Sequence, residues 1–181
     1  MENPRKLVTA SVAKYLKTPI LETDGPRFRT GAKGRVFDTD STPPDVDSLA
    51  EINVLFVEEE IDPQTQHQGG PRRRIMEMRV ECYHTKSKDN ADDLAWEVEE
   101  ALRANPTLSN SVEWLTLQKL NLFVVENQSV ALFAVVMTYQ VIYWTHQIAD
   151  PDTGRPVTVL LGYDPHTGPG HEPDYEVVIG E

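Results

Sequence analysis

The sequence predicts an α+β fold, in which a mainly antiparallel sheet packs against two helices and carries long loops and an extended C-terminal arm. Three observations favour this fold. Residues 76–82 alternate apolar and polar side chains, as in a strand with one wet face, and an amphipathic helical pattern follows after a short polar break. A second helical pattern lies near the N-terminus. Two long strand-like stretches come last, so the predicted domain spans residues 1–148.

The first helix is predicted over Pro4–Lys17. Proline suits a first helical turn, and Pro19 ends the helix because proline disfavours helix in the residue before it. The apolar residues that recur at helical spacing are Leu7, Val8, Val12, Tyr15 and Leu16.

Residues 22–49 are predicted to form a long loop region, because glycine, proline, aspartate, threonine and serine interrupt every periodic pattern. Short strands would fit at Phe28 and at the pair Val36 and Phe37. Loops of this length in compact domains are typically functional or disordered.

A strand buried on both faces is predicted over Ala50–Glu58, since this apolar run is bounded by acids. Glu58, Glu59 and Glu60 are expected to be a solvated strand end, because neighbours on a strand point to opposite faces and cannot converge on one cation. Residues 62–74 then form the mobile tip of an antiparallel hairpin.

The central strand and helix of the predicted fold lie within Ile75–Pro106. Met76, Met78, Val80 and Cys82 share one strand face, and Glu77, Arg79 and Glu81 share the other. The helical stripe consists of Ala91, Leu94, Ala95, Val98, Ala101 and Leu102. The single thiol, Cys82, is therefore predicted to be a small buried hydrophobe, and neither an internal disulfide nor the usual cysteine zinc site is expected.

Two further strands, 111–122 and 129–144, are predicted to pair across the turn-forming residues 126–128. The second strand is apolar on both of its alternating faces. One face can pack on the helices, and the other is expected to be covered by a neighbouring subunit. The residues predicted to face that subunit are Phe133, Val135, Met137, Tyr139 and Tyr143.

The segment 149–181 is predicted to be an acidic, turn-rich arm that is too short to fold alone. Two turns of the pattern D-P-x-T-G begin at Asp150 and Asp164. Its aspartates, with His166 and His171, are interpreted as turn residues and not as metal ligands, because no set has a recognised ligand spacing.

The net charge of −12 is unevenly placed along the chain. Residues 1–37 hold 8 basic and 3 acidic side chains, whereas residues 38–62 hold 9 acidic side chains and no basic one. Such a balance repels nucleic acid and disfavours a sequence-reading DNA binder. The sequence has no long apolar run and no N-terminal apolar core. We therefore expect no membrane span and no signal peptide.

The order of helix, long loop, two strands, helix and two long strands resembles the tail terminator (tail completion) proteins of long-tailed bacteriophages. Three segments carry the resemblance: RKLVTASVAKYL at 5–16, MRVECY at 78–83 followed by ADDLAWEVEEAL at 91–102, and MTYQVIY at 137–143. The resemblance covers about residues 1–148. The arm and the loop at 22–49 depart from the compact family pattern.

The resemblance implies a structural virion protein and not an enzyme. Its copies would assemble in the host cytoplasm into a six-membered ring at the head-proximal end of the tail tube, in the neck region. The ring would stop tube polymerisation and offer a joining surface to the head connector. Its partners would be further copies of itself, the tail tube protein and the connector, while DNA passes through without specific binding. No cofactor, metal or catalytic residue is implied.

Two groups of residues are candidates for these contacts. The hairpin tip is expected to meet the tube or the next subunit through Gln64, Gln66, His67, Arg72, Arg73 and Arg74. The acidic loop is expected to face the lumen or the connector through Asp38, Asp40, Asp45 and Asp47. For the three arginines the sequence favours equally a forked contact to an acidic partner and a purely solvated role at the root of a loop.

Two alternatives to a tail terminator stay open. Another neck or minor tail protein would use the same fold on a neighbouring ring. A small metal-dependent hydrolase would need Asp62, Glu81, His84 and an aspartate of the arm to converge, and nothing in their spacing requires it.

Overall fold

The computed structural model describes residues 3–38, 50–65, 71–127 and 130–145, together with the short segments 159–161 and 176–179. The chain divides into two compact units, residues 1–147 and residues 148–181. Among the described residues, neither helix combines the length and the apolar character needed to cross a membrane.

Unit 1 is an α+β domain, and the predicted fold class is confirmed. A small hairpin pairs β1 (Ile20–Glu22) with β2 (Gly25–Arg27). The main sheet contains β3 (Val36–Asp38), β4 (Ala50–Ile61), β5 (Arg72–His84), β6 (Trp114–Asn127) and β7 (Val130–Thr145). Its spatial order is β3-β4-β5-β7-β6. Every neighbouring pair is antiparallel except β3 with β4, which is parallel.

The two helices lie on the same face of this sheet. Helix α1 (Pro4–Lys17) contacts β3 and β4, and helix α2 (Lys88–Ala104) contacts β5, β6 and β7. The Tyr15 hydroxyl donates a hydrogen bond of 3.2 Å to the Ala101 carbonyl and so joins the helices. The bounds of α1 match the prediction, and α2 begins three residues before the predicted stripe because Ser87 caps it, accepting the Asn90 N–H at 3.2 Å.

The core lies between the helices and the sheet, as the alternation along β5 predicts. The even-numbered side chains of β5 from Met76 to Cys82 are fully buried. The helices contribute their predicted stripes, with Val12, Leu16, Ala95, Val98 and Leu102 among the most buried residues. Burying a side chain of this size contributes about 1.5–3 kcal/mol, so this layer supplies most of the stability.

Strand β4 extends beyond its predicted end, and β5 begins earlier than predicted. Glu59 and Ile61 pair with Met76 and Arg74, so the interstrand ladder continues through residues that the sequence assigns to a solvated end and a loop. A β-bulge after Phe56 shifts the register before Glu58. Ladder hydrogen bonds and side-chain partners outweigh the low strand propensity of charged residues here.

The loop region 22–49 contains one of the expected short strands. Val36 and Phe37 lie in β3, whereas Phe28 lies just beyond β2 and outside any strand. Residues 39–49 are outside the described residues.

Unit 2 contains a short antiparallel pair, β8 (Val159–Leu161) with β9 (Glu176–Ile179). The two predicted turns of the arm lie outside the described residues.

Candidate functional site

The main sheet of unit 1 has one face under the helices and a second face that remains accessible over β5, β7, β6 and the residues 58–60 of β4. We call this second surface the open face. Arg79, Lys119 and Gln140 are exposed there, whereas Glu51 and Asn53 near the start of β4 are buried. A shallow hollow of about 550 Å³ in the open face is lined by Glu77, Arg79, Glu81, Lys119, Asn121, Phe123, Val136 and Thr138.

The prediction that the odd-numbered residues of β7 face a neighbouring subunit is wrong. Val135, Met137, Tyr139 and Tyr143 are at most 4% exposed in the single chain, and Phe133 packs against the same core. They lie beneath the helices because β7 pairs with β5 in a register that aligns Val135 with Cys82 and Met137 with Val80. The open face of β7 is instead formed by Ala134, Val136, Thr138, Gln140 and Ile142.

The open face carries carboxylates that lack ion-pair partners. Glu58 lies directly opposite Glu77 across β4 and β5, an arrangement of like charges that destabilises a sheet. Arg79 reaches Glu77 at 3.5 Å. Glu58, Glu60 and Lys119 make no ion pair within the described part of the chain. Stability alone does not explain these charges, so we consider the open face the candidate site.

Arg74 belongs to an ion-pair cluster on the helix-covered face of the sheet. Its Nη1 lies 2.6 Å from Glu59 Oε1, and Arg5 of α1 and the Tyr143 hydroxyl also donate to the Glu59 carboxylate. The Glu59 side chain is only 3% exposed. Burial alone would raise the pKa of Glu59, but the hydrogen bonds from Arg74 and Arg5 outweigh it and lower that pKa. Burial and the nearby Glu59 raise the pKa of Tyr143 to about 12.

Arg73 is also held by carboxylates of its own chain. Its guanidinium makes a forked contact with Glu113 at 3.1 Å and a second contact with Asp62 at 3.1 Å. Hydrogen bonding to Arg73 lowers the pKa of Glu113, which also accepts the Trp144 indole N–H at 2.7 Å. At this end of the sheet, Arg73 and Arg74 are therefore paired with carboxylates of their own chain. Arg72 is half-buried in the same strand.

The remaining predicted contact residues are only partly visible. Gln64 is exposed in the 3-10 turn Pro63–Thr65. The carboxylate of Asp62, which precedes this turn, accepts the Gln64 N–H at 3.0 Å. Asp38 ends β3 and is half-exposed. Gln66, His67, Asp40, Asp45 and Asp47 lie outside the described residues. The expected contacts of both groups stay predictions.

The structure does not bring together Asp62, Glu81 and His84 of the hydrolase alternative, and the aspartates of the arm lie outside the described residues. Asp62 contacts Arg73 near the start of β5, and Arg73 is roughly 36 Å from His84 at the end of that strand, at about 3.3 Å per residue. Glu81 accepts a hydrogen bond of 2.5 Å from the Tyr83 hydroxyl, and His84 Nδ1 accepts the Lys86 N–H. Within the described ranges, no three histidine, cysteine or acidic side chains are placed to hold a metal.

The free edge of β6 is the feature that the sequence analysis missed. In the described part of unit 1, β6 pairs only with β7, so its other side presents unpaired N–H and C=O groups. Leu120, Phe123 and Val124 are 42%, 50% and 48% exposed on this strand. A strand order cannot be read from the pattern of apolar residues alone, and without that order an edge strand looks like an interior one.

No protein-family model matches the sequence, and no curated protein matches it. Function is therefore inferred from the geometry of the chain.

Proposed function

We propose that this protein is a structural virion component of a long-tailed bacteriophage, which forms a ring at the head-proximal end of the tail tube. In this role the ring stops tube polymerisation and provides the joining surface for the head connector. The open face lines the hole through which DNA passes.

The observation that carries the proposal is the open face itself. It is an accessible sheet surface on which Glu58, Glu60, Glu77 and Glu81 outnumber the cations Arg79 and Lys119. A wall with this balance repels phosphates and lets DNA slide past without binding. This role explains why Glu58 and Glu60 are present although they destabilise the monomer.

The test combines electron microscopy with tube assembly. The purified protein is imaged by negative stain, and tail tube protein from the same virus is polymerised with and without it. We expect rings with a central hole, and tubes that stop growing once a ring is bound at one end. A strict monomer that leaves tube length unchanged would contradict the proposal.

The same experiment separates the terminator from another neck protein. A ring that forms but neither binds tubes nor limits their length, and instead binds the head connector, would assign the protein to a neighbouring ring of the neck.

A further inference from the structure

The edge of β6 has few of the features that normally keep sheet edges from pairing. Natural edge strands are short, charged, bulged or interrupted by proline. Strand β6 has 14 residues without proline or glycine, and Lys119 is its only charged residue before Glu126. A bulge between Leu117 and Lys119 interrupts the first part of the strand, and the pairing with β7 is regular from Lys119 onward. The uncharged run that follows Lys119 includes the exposed residues Leu120, Phe123 and Val124. Such a strand is suited to pairing with another strand.

A second free edge lies on the opposite side of the same sheet. Strand β3 pairs with β4 only as far as Val54, so the segment 55–61 of β4 has no outer neighbour among the described residues. Because β4, β5, β7 and β6 alternate in direction, β4 and β6 run antiparallel to each other. A second copy in the same orientation therefore presents segment 55–61 antiparallel to β6, the geometry of the stronger ladder.

The side chains of the two edges are complementary on both faces. On the open face, Glu58 and Glu60 of β4 are exposed acids, and Lys119 of β6 is an exposed base. On the helix-covered face, Phe56 is 40% exposed on β4 and Leu120 is 42% exposed on β6. Opposite residues of an antiparallel pair point to the same face, so one register places acid beside base and apolar beside apolar.

We propose that β6 of one copy pairs with segment 55–61 of β4 in a second copy, with Lys119 opposite Glu58 and diagonal to Glu60, and with Leu120 opposite Phe56 across the bulge that skips Val57. This contact rests on the proposed function in that it supplies the joint between ring subunits. The two edges are different surfaces, so the contact is heterologous and repeats from copy to copy until a ring closes.

A charge-swap experiment tests the pairing on the full chain. Lys119→Glu makes both edges acidic, and Glu58→Lys with Glu60→Lys makes both edges basic. Each variant alone is expected to lose self-association, with a dissociation constant raised at least about tenfold, because like charges then meet. Mixed in equal amounts, the two variants are expected to assemble together, since every acidic edge then meets a basic one. Light scattering measures mass, and circular dichroism confirms that each variant is folded.

Matched controls carry the same charge changes away from both edges. Lys86→Glu, and Asp92→Lys with Asp93→Lys, alter exposed residues of the α2 region and are expected to assemble like the wild type.

Each outcome decides the proposal. If Lys119→Glu disrupts assembly but the β4 variant does not, two β6 strands pair with each other, and the proposal is overturned. A wild-type chain that remains monomeric overturns both this contact and the proposed ring, whereas rings that both variants form like the wild type overturn this contact and leave the proposed function standing. Assembly that follows the charge swap without any effect on tubes keeps this contact and overturns the proposed function.

Discussion

The covered and open faces of the sheet are built from alternate residues of the same strands, yet they obey different rules. On the covered face of β7, Val135 and Met137 are fully buried, and the charged group Glu59 of β4 is tolerated there because two arginines neutralise it and the Tyr143 hydroxyl donates a hydrogen bond to it. On the open face, Glu58 lies opposite Glu77 with no cation between them in the register. The covered face specifies the fold, and the open face carries acidic side chains, Glu58 and Glu60, that make no ion pair in the described part of the chain.

The two faces are expected to differ most in the loss of unfolding free energy when neighbouring glutamates of β4 are replaced by alanine. Glu59→Ala leaves Arg74 beside an empty buried site and is expected to lower the free energy of unfolding by about 3–5 kcal/mol. Glu60→Ala, one residue away on the open face, is expected to change it by no more than about 0.5 kcal/mol. Urea denaturation of both variants measures the contrast, and equal effects would show that Glu59 is not the neutralised core charge described here.

The next largest contrast lies on β7. Met137→Ala opens a cavity in the core and is expected to cost about 2–5 kcal/mol of unfolding free energy. Thr138→Ala, on the open face, is expected to cost about 0.5 kcal/mol or less. Urea denaturation again gives both values. A large loss for Thr138→Ala in the monomer would mean that the open face is packed and not accessible.

Acid is expected to reduce the contribution of Glu59 to the free energy of unfolding. Because its pKa is lower in the folded protein, its stabilisation is fully present above the unfolded value of about 4.3 and is lost as pH falls through the folded pKa. The difference in unfolding free energy between the wild type and Glu59→Gln is therefore expected to shrink below about pH 4. A pH series of denaturation curves measures it, and a difference that is constant from acid to neutral pH would contradict the assignment.

The smallest effect on stability, and the most direct test of the open face, comes from reversing its charge. Glu77→Lys with Gln140→Lys is expected to leave the fold intact and to give the assembled protein a DNA affinity that falls steeply with salt. Asp92→Lys with Asp93→Lys on α2 serves as the control. Electrophoretic mobility shifts at two salt concentrations measure binding, and equal DNA binding by both variants would remove the open face from the lumen.

The sequence predicted the helices and strands better than it predicted which face of each strand is buried. The alternation of Met76 to Cys82 and the helical stripes identified the core layer, because burial imposes a period that survives in a single chain. The same alternation could not decide which face of β7 joins that layer. Both of its residue sets are largely apolar, and only the register with β5 aligns Met137 with Val80 and leaves Thr138 outside.

The candidate contacts were predicted less well, for a related reason. Three consecutive arginines look like a surface patch, but Arg73 and Arg74 meet Glu113 and Glu59, which are 40 and 15 residues away along the chain. Partners so distant in sequence leave no local signal. The free edge of β6 is likewise a property of strand order, which no stretch of β6 itself encodes.

The antiparallel relation of β4 and β6 also gives the assembly a direction. If copies join through these edges in one orientation, all of them present the same strand ends on the same rim. One rim then repeats Gln64, Arg73 and Trp144, and the other repeats His84 and the start of α2. Under the proposed function, two chemically different rims would let the ring bind the growing tube on one side and prevent further growth on the other.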